Sequence, residues 1–233
     1  MLLLGIDTST FFGSIALTES DKVIAEHSIN LKKTHSERLL PGIQYLLQET
    51  GFTLEQITTL AVTTGPGSFT GLRIGLSTAK AMAMATGKPL VGISTLDVLA
   101  AGVFSFQGLI CAVLDARRGE LYTALYRNDK DGHIIRVSEY LNLQPEQVLE
   151  MIHEPVLFVG NGLSVYGDQL RQNCSHEVTI APMEFNYPHA STLCRLAATQ
   201  MFEKNISSAG DLKALYIRPS DAELNRKRCE SKT

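Results

Sequence analysis

The sequence predicts a mixed α/β protein made of two successive lobes, each with a mixed sheet and flanking helices. An apolar run that ends in an aspartate occurs twice, at residues 2–7 and 109–115, and the two aspartates are 108 positions apart (115 − 7). The same order of strand and helix patterns follows each run, which indicates an internal duplication. We therefore predict lobes at residues 1–106 and 107–220, and a charged, disordered tail at 221–233.

Composition is that of a soluble globular protein, with 44% hydrophobic and 19% charged residues in a chain of 233. The net charge of −3 excludes a broad basic surface that would bind RNA or DNA unaided. The four cysteines have no paired spacing, which argues against a zinc site or a disulfide framework. Residues 1–6 are apolar but lack a basic leader, and no apolar run is long enough to span a membrane. We expect a cytoplasmic protein with no membrane partner.

The first lobe begins with strand patterns at residues 2–6, 13–18 and 22–29, which predict an antiparallel meander. A helix follows, with Thr34 at its start and Glu37 three positions later, the spacing of a capping box. One face of this helix is apolar and ends at a glycine. That face comprises Leu39, Leu40, Ile43, Leu46 and Leu47.

A glycine-rich loop, Gly-Pro-Gly-Ser-Phe-Thr-Gly at residues 65–71, follows a strand pattern at 57–62 and precedes a helix that ends at Thr86. Ser68 or Thr70 is placed to cap this helix. The loop is either an anion cradle at a helix N-terminus or a tight turn before a closely packed helix. Spacing alone favours neither, because the Gly-Lys-Ser/Thr ending of a P-loop is absent.

Small residues fall four apart along this helix at Gly71, Gly75, Ala79 and Ala83, so they share one side of it. Such a stripe lets another backbone approach closely. The approaching backbone belongs either to the same lobe or to a partner, and spacing leaves both open.

The remaining patterns complete the first lobe and repeat its plan. A strand at 90–93 and a short helix to residue 104 end the first lobe. The second lobe has predicted strands at 109–114, 120–127, 133–141, 156–159 and 178–181, and predicted helices at 145–152, 163–170 and 189–204.

The repeated strand, aspartate and turn resemble the actin, Hsp70 and sugar-kinase superfamily, whose lobes are ribonuclease H-like. The individual motifs are similar to those of the TsaB (YeaZ) family, and the resemblance runs through nearly the whole chain. These motifs are Gly-Ile-Asp-Thr-Ser at 5–9, Thr-His-Ser-Glu-Arg-Leu-Leu-Pro at 34–41, the loop and helix start at 65–75, Ser-Thr-Leu at 94–96, Asp-Ala-Arg at 115–117 and Tyr-Ile-Arg-Pro-Ser at 216–220.

The resemblance implies a non-catalytic partner that binds and activates a TsaD-like catalytic paralogue. The product is N6-threonylcarbamoyladenosine at position 37 of tRNAs that read codons starting with A. A TsaE-like ATPase is a further implied partner, and TsaC-type enzymes supply threonylcarbamoyl-adenylate. Alone, the chain is expected to form a homodimer, and to meet tRNA only through the complex.

The resemblance places the partner surface on the first helix and on the glycine-rich helix. It favours the partner interpretation of the small-residue stripe. Arg73 either forms a salt bridge with a partner or faces solvent, and we favour the partner. His35 has no second histidine at metal-binding spacing, so we interpret it as a surface or interface residue. The predicted interface comprises Thr34, His35, Arg38, Leu39, Ile43, Gly71, Arg73, Gly75, Thr78, Ala79 and Met82.

The same resemblance argues against catalysis. The paralogue has a His-x-x-x-His metal pair in a segment that resembles residues 89–99. Thr95 and Leu99 stand at those positions, and neither supplies an imidazole. We predict that the metal site is absent and that the chain is not an enzyme.

Asp7 and Asp115 either hold a hydrated magnesium ion near a phosphate or tie down their own turns. We favour the second interpretation, because Phe11 and Phe12 fill the first turn. No cofactor is expected beyond weak ATP or ADP binding. The candidate nucleotide- or anion-binding residues are Asp7, Thr8, Ser9, Gly65, Gly67, Ser68, Asp115 and Arg117.

Two other functions compete with the accessory role. The duplicated aspartate turn and the glycine-rich loop also fit an autonomous ATP-dependent phosphotransferase or ATPase of the actin-like superfamily. A metallopeptidase has the least support, because the histidine pair and any Ser-His-Asp or Cys-His signature are missing.

Overall fold

A computed structural model describes residues 1–30, 34–129, 133–202 and 210–218. The strands are β1 (Leu2–Asp7), β2 (Phe12–Glu19), β3 (Lys22–Asn30), β4 (Thr59–Gly65), β5 (Leu90–Ser94), β6 (Leu109–Arg117), β7 (Glu120–Asn128), β8 (Ile134–Arg136), β9 (Leu141–Leu143), β10 (Val156–Val159) and β11 (Val178–Ile180). The helices are α1 (His35–Thr50), α2 (Phe69–Thr86), α3 (Thr95–Gly102), α4 (Pro145–Glu150), α5 (Leu163–Asn173) and α6 (Ala190–Phe202).

The two sheets have the same topology, which confirms the predicted duplication. The first has the order β3-β2-β1-β4-β5, and the second has the order β11-β10-β6-β7-β8 with β9 also paired to β7. In each sheet a meander of antiparallel strands is joined by two parallel strands. β6 therefore corresponds to β1, and β10 to β4.

Helices cover both faces of each sheet, so the first strands are apolar along most of their length. Leu2, Leu4 and Ile6 of β1 belong to one core cluster with residues of α1 and α2. Leu3, between them, points to the opposite face and packs with α6. In the second sheet one face packs on α3 and the other on α4 and α5.

The last helix is exchanged between lobes: it lies within the predicted 107–220 unit by sequence but packs on the first sheet. Leu193 and Ala197 of α6 pack against Leu3 and Val91 of the first sheet. Its counterpart α3 contributes to the core of the second sheet, through Leu99 among others. The 1–106 unit thus needs a helix from the predicted 107–220 unit to cover its sheet. The predicted 221–233 tail lies outside the described residues.

Residues 210–218 connect the first lobe to the second. This C-terminal strap is fastened to the first lobe by the Leu215 amide, which donates to the Thr64 carbonyl at 2.8 Å. The Arg218 guanidinium then reaches the second lobe and donates to Glu120 Oε2 at 2.7 Å. The strap therefore bridges the two lobes.

Two local predictions were wrong. The Thr34 side chain makes no capping hydrogen bond to α1, because its hydroxyl pairs with that of Ser36 at 3.0 Å. The predicted strand at 133–141 is two short strands, β8 and β9, and between them the Ser138 hydroxyl accepts a hydrogen bond from the Leu125 amide. Within the described residues, no helix has the length and apolar character needed to cross a membrane.

Candidate functional site

A cleft of about 470 Å³ lies between the two lobes. Its walls come from the β1–β2 turn, the start of α2, the β6–β7 turn, the loop before α5 and the C-terminal strap. The lining residues are Ser9, Thr10, Phe11, Gly67, Ser68, Phe69, Leu114, Asp115, Ala116, Arg117, Tyr122, Asn161, Tyr216 and Arg218.

On the first lobe, Asp7 organises the β1–β2 turn from behind the cleft. Its Oδ1 accepts hydrogen bonds from the hydroxyls of Thr63 and Ser9, both at 2.7 Å, and from the Ser9 amide at 3.3 Å. The carboxyl is fully buried, and this burial raises its pKa to about 6 against the opposing hydrogen bonds. Its Oδ2 has no hydrogen-bond partner among the described residues.

The glycine-rich loop packs onto the same turn. The Ser68 amide donates to the Ser9 carbonyl at 2.7 Å, and a Cβ at Gly67 would collide with that carbonyl. Ser68 also caps α2, since its hydroxyl accepts from the Gly71 amide at 3.2 Å. This confirms Ser68, rather than Thr70, as the cap. Close packing of the loop on the β1–β2 turn is what its glycine permits here.

On the second lobe, Asp115 ties its turn as Asp7 does. Its Oδ1 accepts from the Arg117 amide at 2.8 Å, two residues later, and its Oδ2 pairs with the Arg117 guanidinium at 3.3 Å. Asn161 completes the turn by accepting from the Asp115 amide at 3.1 Å. Both aspartates thus make the hydrogen bonds that the turn-tying interpretation requires.

Arg117 and Arg118 both have positive φ, at 64° and 57°, which is uncommon for residues other than glycine. The side chain of Arg117 lies over the ring of Phe11, with 5.6 Å between the guanidinium carbon and the ring centroid. This contact joins the two lobes at the cleft.

A second aromatic group, Phe69 and Tyr216, also lines the cleft. The Phe69 ring lies 5.2 Å from that of Tyr216, and the Arg73 guanidinium stacks on Phe69 at 3.7 Å. Arg73 also donates to the Tyr216 hydroxyl at 3.3 Å. Arg73 therefore contacts the protein's own C-terminal strap.

Five of the eight predicted nucleotide- or anion-binding residues come together in the cleft: Ser9, Gly67, Ser68, Asp115 and Arg117. Asp7, Thr8 and Gly65 do not line it. Sequence reasoning missed the other lining residues, which are Thr10, Phe11, Phe69, Leu114, Ala116, Tyr122, Asn161, Tyr216 and Arg218. Of these, Phe69, Ala116, Tyr216 and Arg218 belong to motifs that the family resemblance had singled out, but only the fold brings those motifs together at the cleft.

The predicted partner surface is on the predicted helices, but several of its residues face inward. Leu39 and Ile43 of α1 are buried in the core beneath that helix. The small stripe of α2 is likewise buried, and the Thr8 hydroxyl donates to the Gly71 carbonyl at 2.7 Å. Leu39, Ile43, Gly71, Gly75 and Ala79 are buried within the chain, and their contact with a partner stays a prediction.

The other predicted interface residues remain partly or fully at the surface. Thr34 and Arg73 are exposed, whereas Arg38, Thr78 and Met82 are half-buried. His35 is half-buried too, and its Nε2–H donates to the Thr10 carbonyl at 2.6 Å. Burial lowers the pKa of His35.

A groove of about 550 Å³ lies along α1, the following 3-10 turn and α2. We call it the α1–α2 groove. It is lined by Leu40, Ile43, Gln44, Leu47, Gln48, Gly51, Phe52, Thr53, Leu54 and Met82. Leu40 is 59% exposed and lies beside the other apolar residues of the groove, and a contiguous exposed apolar surface is typical of an interaction site. The groove is an apolar surface that these two helices offer to solvent.

Thr95 and Leu99, which stand where the paralogue's metal-binding histidines are expected, both lie in the interior of the protein. Thr95, the first residue of α3, is fully buried, and Leu99 packs in the core of the second sheet. Within the described ranges, no three His, Cys, Asp or Glu residues come together in a way that could hold a metal ion.

A family model described as TsaD: tRNA N6-adenosine threonylcarbamoyltransferase matches residues 22–227. The chain is 36% identical, over 96% of its own length and 96% of the relative's, to the tRNA threonylcarbamoyladenosine biosynthesis protein TsaB of Bacillus subtilis (strain 168). The chain belongs to the TsaB family.

Solved structures confirm the fold. YeaZ from Pseudomonas aeruginosa superimposes on this TsaB-family chain with a TM-score of 0.77 at 28% identity, covering 92% of this chain and 99% of that one. Component A of the Acidaminococcus fermentans (R)-2-hydroxyglutaryl-CoA dehydratase superimposes with a TM-score of 0.54 at 10% identity, over 86% of this chain and 98% of that one. At that identity the likeness concerns the fold alone, and it agrees with two actin-like lobes.

Proposed function

We propose that this chain is a non-catalytic partner that binds and activates a TsaD-like catalytic paralogue in forming N6-threonylcarbamoyladenosine at position 37 of tRNA. The observation that carries the proposal is the exposed apolar α1–α2 groove, a surface suited to another protein. The name of the Bacillus subtilis relative and the description of the matching family model support the same pathway.

The groove has the character of a protein-binding surface. Leu40 projects from α1 into solvent, and Met82 of α2 lies on the groove's other side. Exposed apolar groups in a groove can anchor a partner helix, because their burial removes apolar surface from water. A paralogue of the same fold would offer a matching pair of helices, and a second copy of this chain would do so in its absence.

The accessory role is supported by the chemistry of Thr95 and Leu99. The resemblance places the paralogue's histidine pair at these positions. A buried hydroxyl and a hydrocarbon side chain cannot replace two imidazoles as ligands. Under this proposal the chain needs no cofactor of its own, and bound ATP or ADP would be weak and incidental.

The remaining partners act through the complex. The net charge of −3 gives this chain no large basic surface for phosphate contacts, so tRNA would be held mainly with the TsaD-like subunit present. A TsaE-like ATPase would join the same assembly.

Reconstitution tests the proposal directly. The assay measures the formation of modified tRNA by a mixture of a TsaD-like enzyme, a TsaE-like ATPase and a TsaC-type enzyme, with and without this chain. We expect modification only when the chain is present, and none from the chain alone. Modification at the full rate in its absence would overturn the proposal, as would magnesium-dependent turnover by the isolated chain.

A further inference from the structure

The cleft has an exposed aromatic platform whose partner is an arginine of the other lobe. Phe11 is 66% exposed although it is one of the largest apolar side chains in the protein. The Arg117 guanidinium lies 5.6 Å from its ring centroid, at a residue with positive φ. Nothing in the core requires either arrangement, since both side chains lie outside the buried clusters.

Aromatic rings paired with arginine are a common means of holding unstacked nucleobases. Every base has a π face that stacks on a phenylalanine ring, and a guanidinium plane stacks on the other side. The cleft is also lined by the polar residues Ser9, Thr10 and Asn161.

The spacing of Phe11 and Arg117 nearly fits an inserted ring. A planar base needs a van der Waals layer of roughly 3.5 Å on each face, so the two groups would stand about 7 Å apart. The present 5.6 Å would have to widen by only one to two ångströms, roughly. The volume of about 470 Å³ lies within the range of about 300–1,000 Å³ typical of small-ligand sites.

The charge of the cleft distinguishes between nucleotide ligands. Its charged lining residues are Asp115, Arg117 and Arg218, which sum to one positive charge. Arg218 is already paired with Glu120 at 2.7 Å. Arg117 is paired with Asp115 at 3.3 Å, so the two ion pairs together leave the cleft close to neutral. Such a site accommodates one phosphodiester more easily than a triphosphate, which carries several negative charges and is normally bound with a metal ion.

We propose that the inter-lobe cleft holds one unpaired nucleotide of RNA, with its base stacked between the Phe11 ring and the Arg117 guanidinium. This deepens the proposed function and rests on it, because the RNA would be the tRNA substrate of the complex. A free nucleoside monophosphate shares the same chemistry and is separated from RNA by the test. Affinity in the isolated chain is modest, because stacking supplies it and a basic surface does not.

The test is a fluorescence anisotropy titration of a labelled single-stranded oligoribonucleotide with the purified chain, at about 150 mM salt. Wild type is compared with Phe11→Ala and with the control Phe104→Ala. Phe104 is 54% exposed and has Arg195 at 5.3 Å from its ring, so it reproduces an aromatic–arginine pair outside the cleft. We expect Phe11→Ala to weaken binding about tenfold and Phe104→Ala to leave it unchanged.

Several outcomes would overturn the inference. They are the absence of saturable binding by wild type, equal effects of the two variants, and displacement by adenosine monophosphate at lower concentrations than by unlabelled oligonucleotide. Phe11 is exposed, so an unchanged thermal midpoint should show that its variant remains folded.

The reconstituted complex separates this inference from the proposed function. With Phe11→Ala we expect the KM for tRNA to rise while the chain still co-purifies with its catalytic partner. If the complex does not need this chain at all, the proposed function fails, yet the oligonucleotide titration still decides whether the cleft binds RNA.

Discussion

The Ser191 hydroxyl, at the start of α6, donates a 2.7 Å hydrogen bond to Glu26 of β3, 165 positions earlier in the chain. The Ser191 amide donates to the same carboxylate at 3.2 Å, so Glu26 satisfies a free N–H group at the helix start. The Ser14 hydroxyl also donates to it, at 2.8 Å. The exchanged helix is thereby fastened to the first sheet.

His189 should make this junction depend on pH. Its Nδ1 lies 3.4 Å from Glu26 Oε1, and the interaction with Glu26 raises the pKa of His189 above its usual 6.5. The stabilisation of the folded state by the charged imidazole is therefore complete below pH 6.5, and it is lost as the pH rises through the raised pKa. We expect His189→Gln to lower the free energy of unfolding by up to about 1 kcal/mol near pH 6, since the pair is partly exposed.

That difference should shrink toward zero near pH 9, as measured by urea unfolding across this range. Ser191→Ala is the matched control, because it removes a hydrogen bond to the same carboxylate without removing a titrating group. The decrease in the free energy of unfolding caused by Ser191→Ala should stay constant over this pH interval. Glu26 stays ionised down to acid pH. Burial would raise its pKa, but hydrogen bonds from His189, Ser191 and Ser14 lower that pKa to about 2. A constant cost for His189→Gln would contradict the prediction.

Asp7 should oppose folding once it ionises. Its pKa is raised from 3.8 to about 6 by burial, so the folded state holds a proton that the unfolded state releases. The stability associated with this proton is lost as pH rises from about 4 to about 6, by on the order of 3 kcal/mol. Asp7→Asn cannot ionise, so its stability relative to wild type should rise across that interval.

Urea unfolding of both proteins at several pH values measures this difference. The Asn variant retains a carbonyl oxygen for the Thr63 and Ser9 hydrogen bonds, so it should remain folded. Parallel pH profiles for the two proteins would show that Asp7 is accommodated in its charged form.

Gly71 and Gly75 should respond differently to the same added methyl group. A Cβ at Gly71 would collide with the backbone carbonyl of Thr8, whereas a Cβ at Gly75 would collide with the Thr8 hydroxyl. Overpacking of this kind costs about 1–3 kcal/mol. We expect both alanine variants to be destabilised, because α2 packs directly on the β1–β2 turn.

Thr8→Ala distinguishes the two sites in a double-mutant cycle. Removal of the Thr8 hydroxyl should relieve much of the cost of Gly75→Ala and little of the cost of Gly71→Ala. Chemical denaturation of the single and double variants gives the coupling energies. Equal coupling at both sites would show that the helix shifts as a whole to accommodate either methyl group.

Leu40→Glu should separate the chain from its partner. The substitution places a charge in the α1–α2 groove at a side chain that is already exposed, so folding should be unaffected. We expect at least a 30-fold loss of affinity for a TsaD-like protein, on the scale of an interface hot spot of about 2 kcal/mol. Co-purification and size-exclusion chromatography measure binding to the paralogue and self-association.

Val165→Glu is the control for this experiment. Val165 is 61% exposed on α5 of the second lobe, away from the groove. The Val165→Glu variant should bind the partner with the same affinity as wild type. Comparable losses in both variants would mean that added negative charge, rather than the groove, governs the interaction.

The local patterns of the sequence determined most of the elements and the duplication. A five-residue apolar run ending in Asp7, and its repeat ending in Asp115, predict two equivalent first strands, because alternation and turn chemistry act over a few neighbouring residues. Ser68 and Thr70 could be named as candidate caps for the same reason, and the structure selects Ser68. The helices that carry the exposed groove were also predicted, although Leu40 rather than Leu39 and Ile43 is exposed on α1.

Tertiary structure alone decided which surfaces meet. The apolar face of α6 requires burial, but its composition does not say on which sheet, and it covers the first sheet through Leu193 and Ala197. The small stripe of α2 requires a close neighbour, and that neighbour is Thr8 of the same lobe. Tyr216 reaches the cleft because the strap pairs with β4 far away in sequence. The hydrophobic effect is non-directional, so an apolar face does not specify which surface it packs against. That choice depends on how the rest of the chain folds.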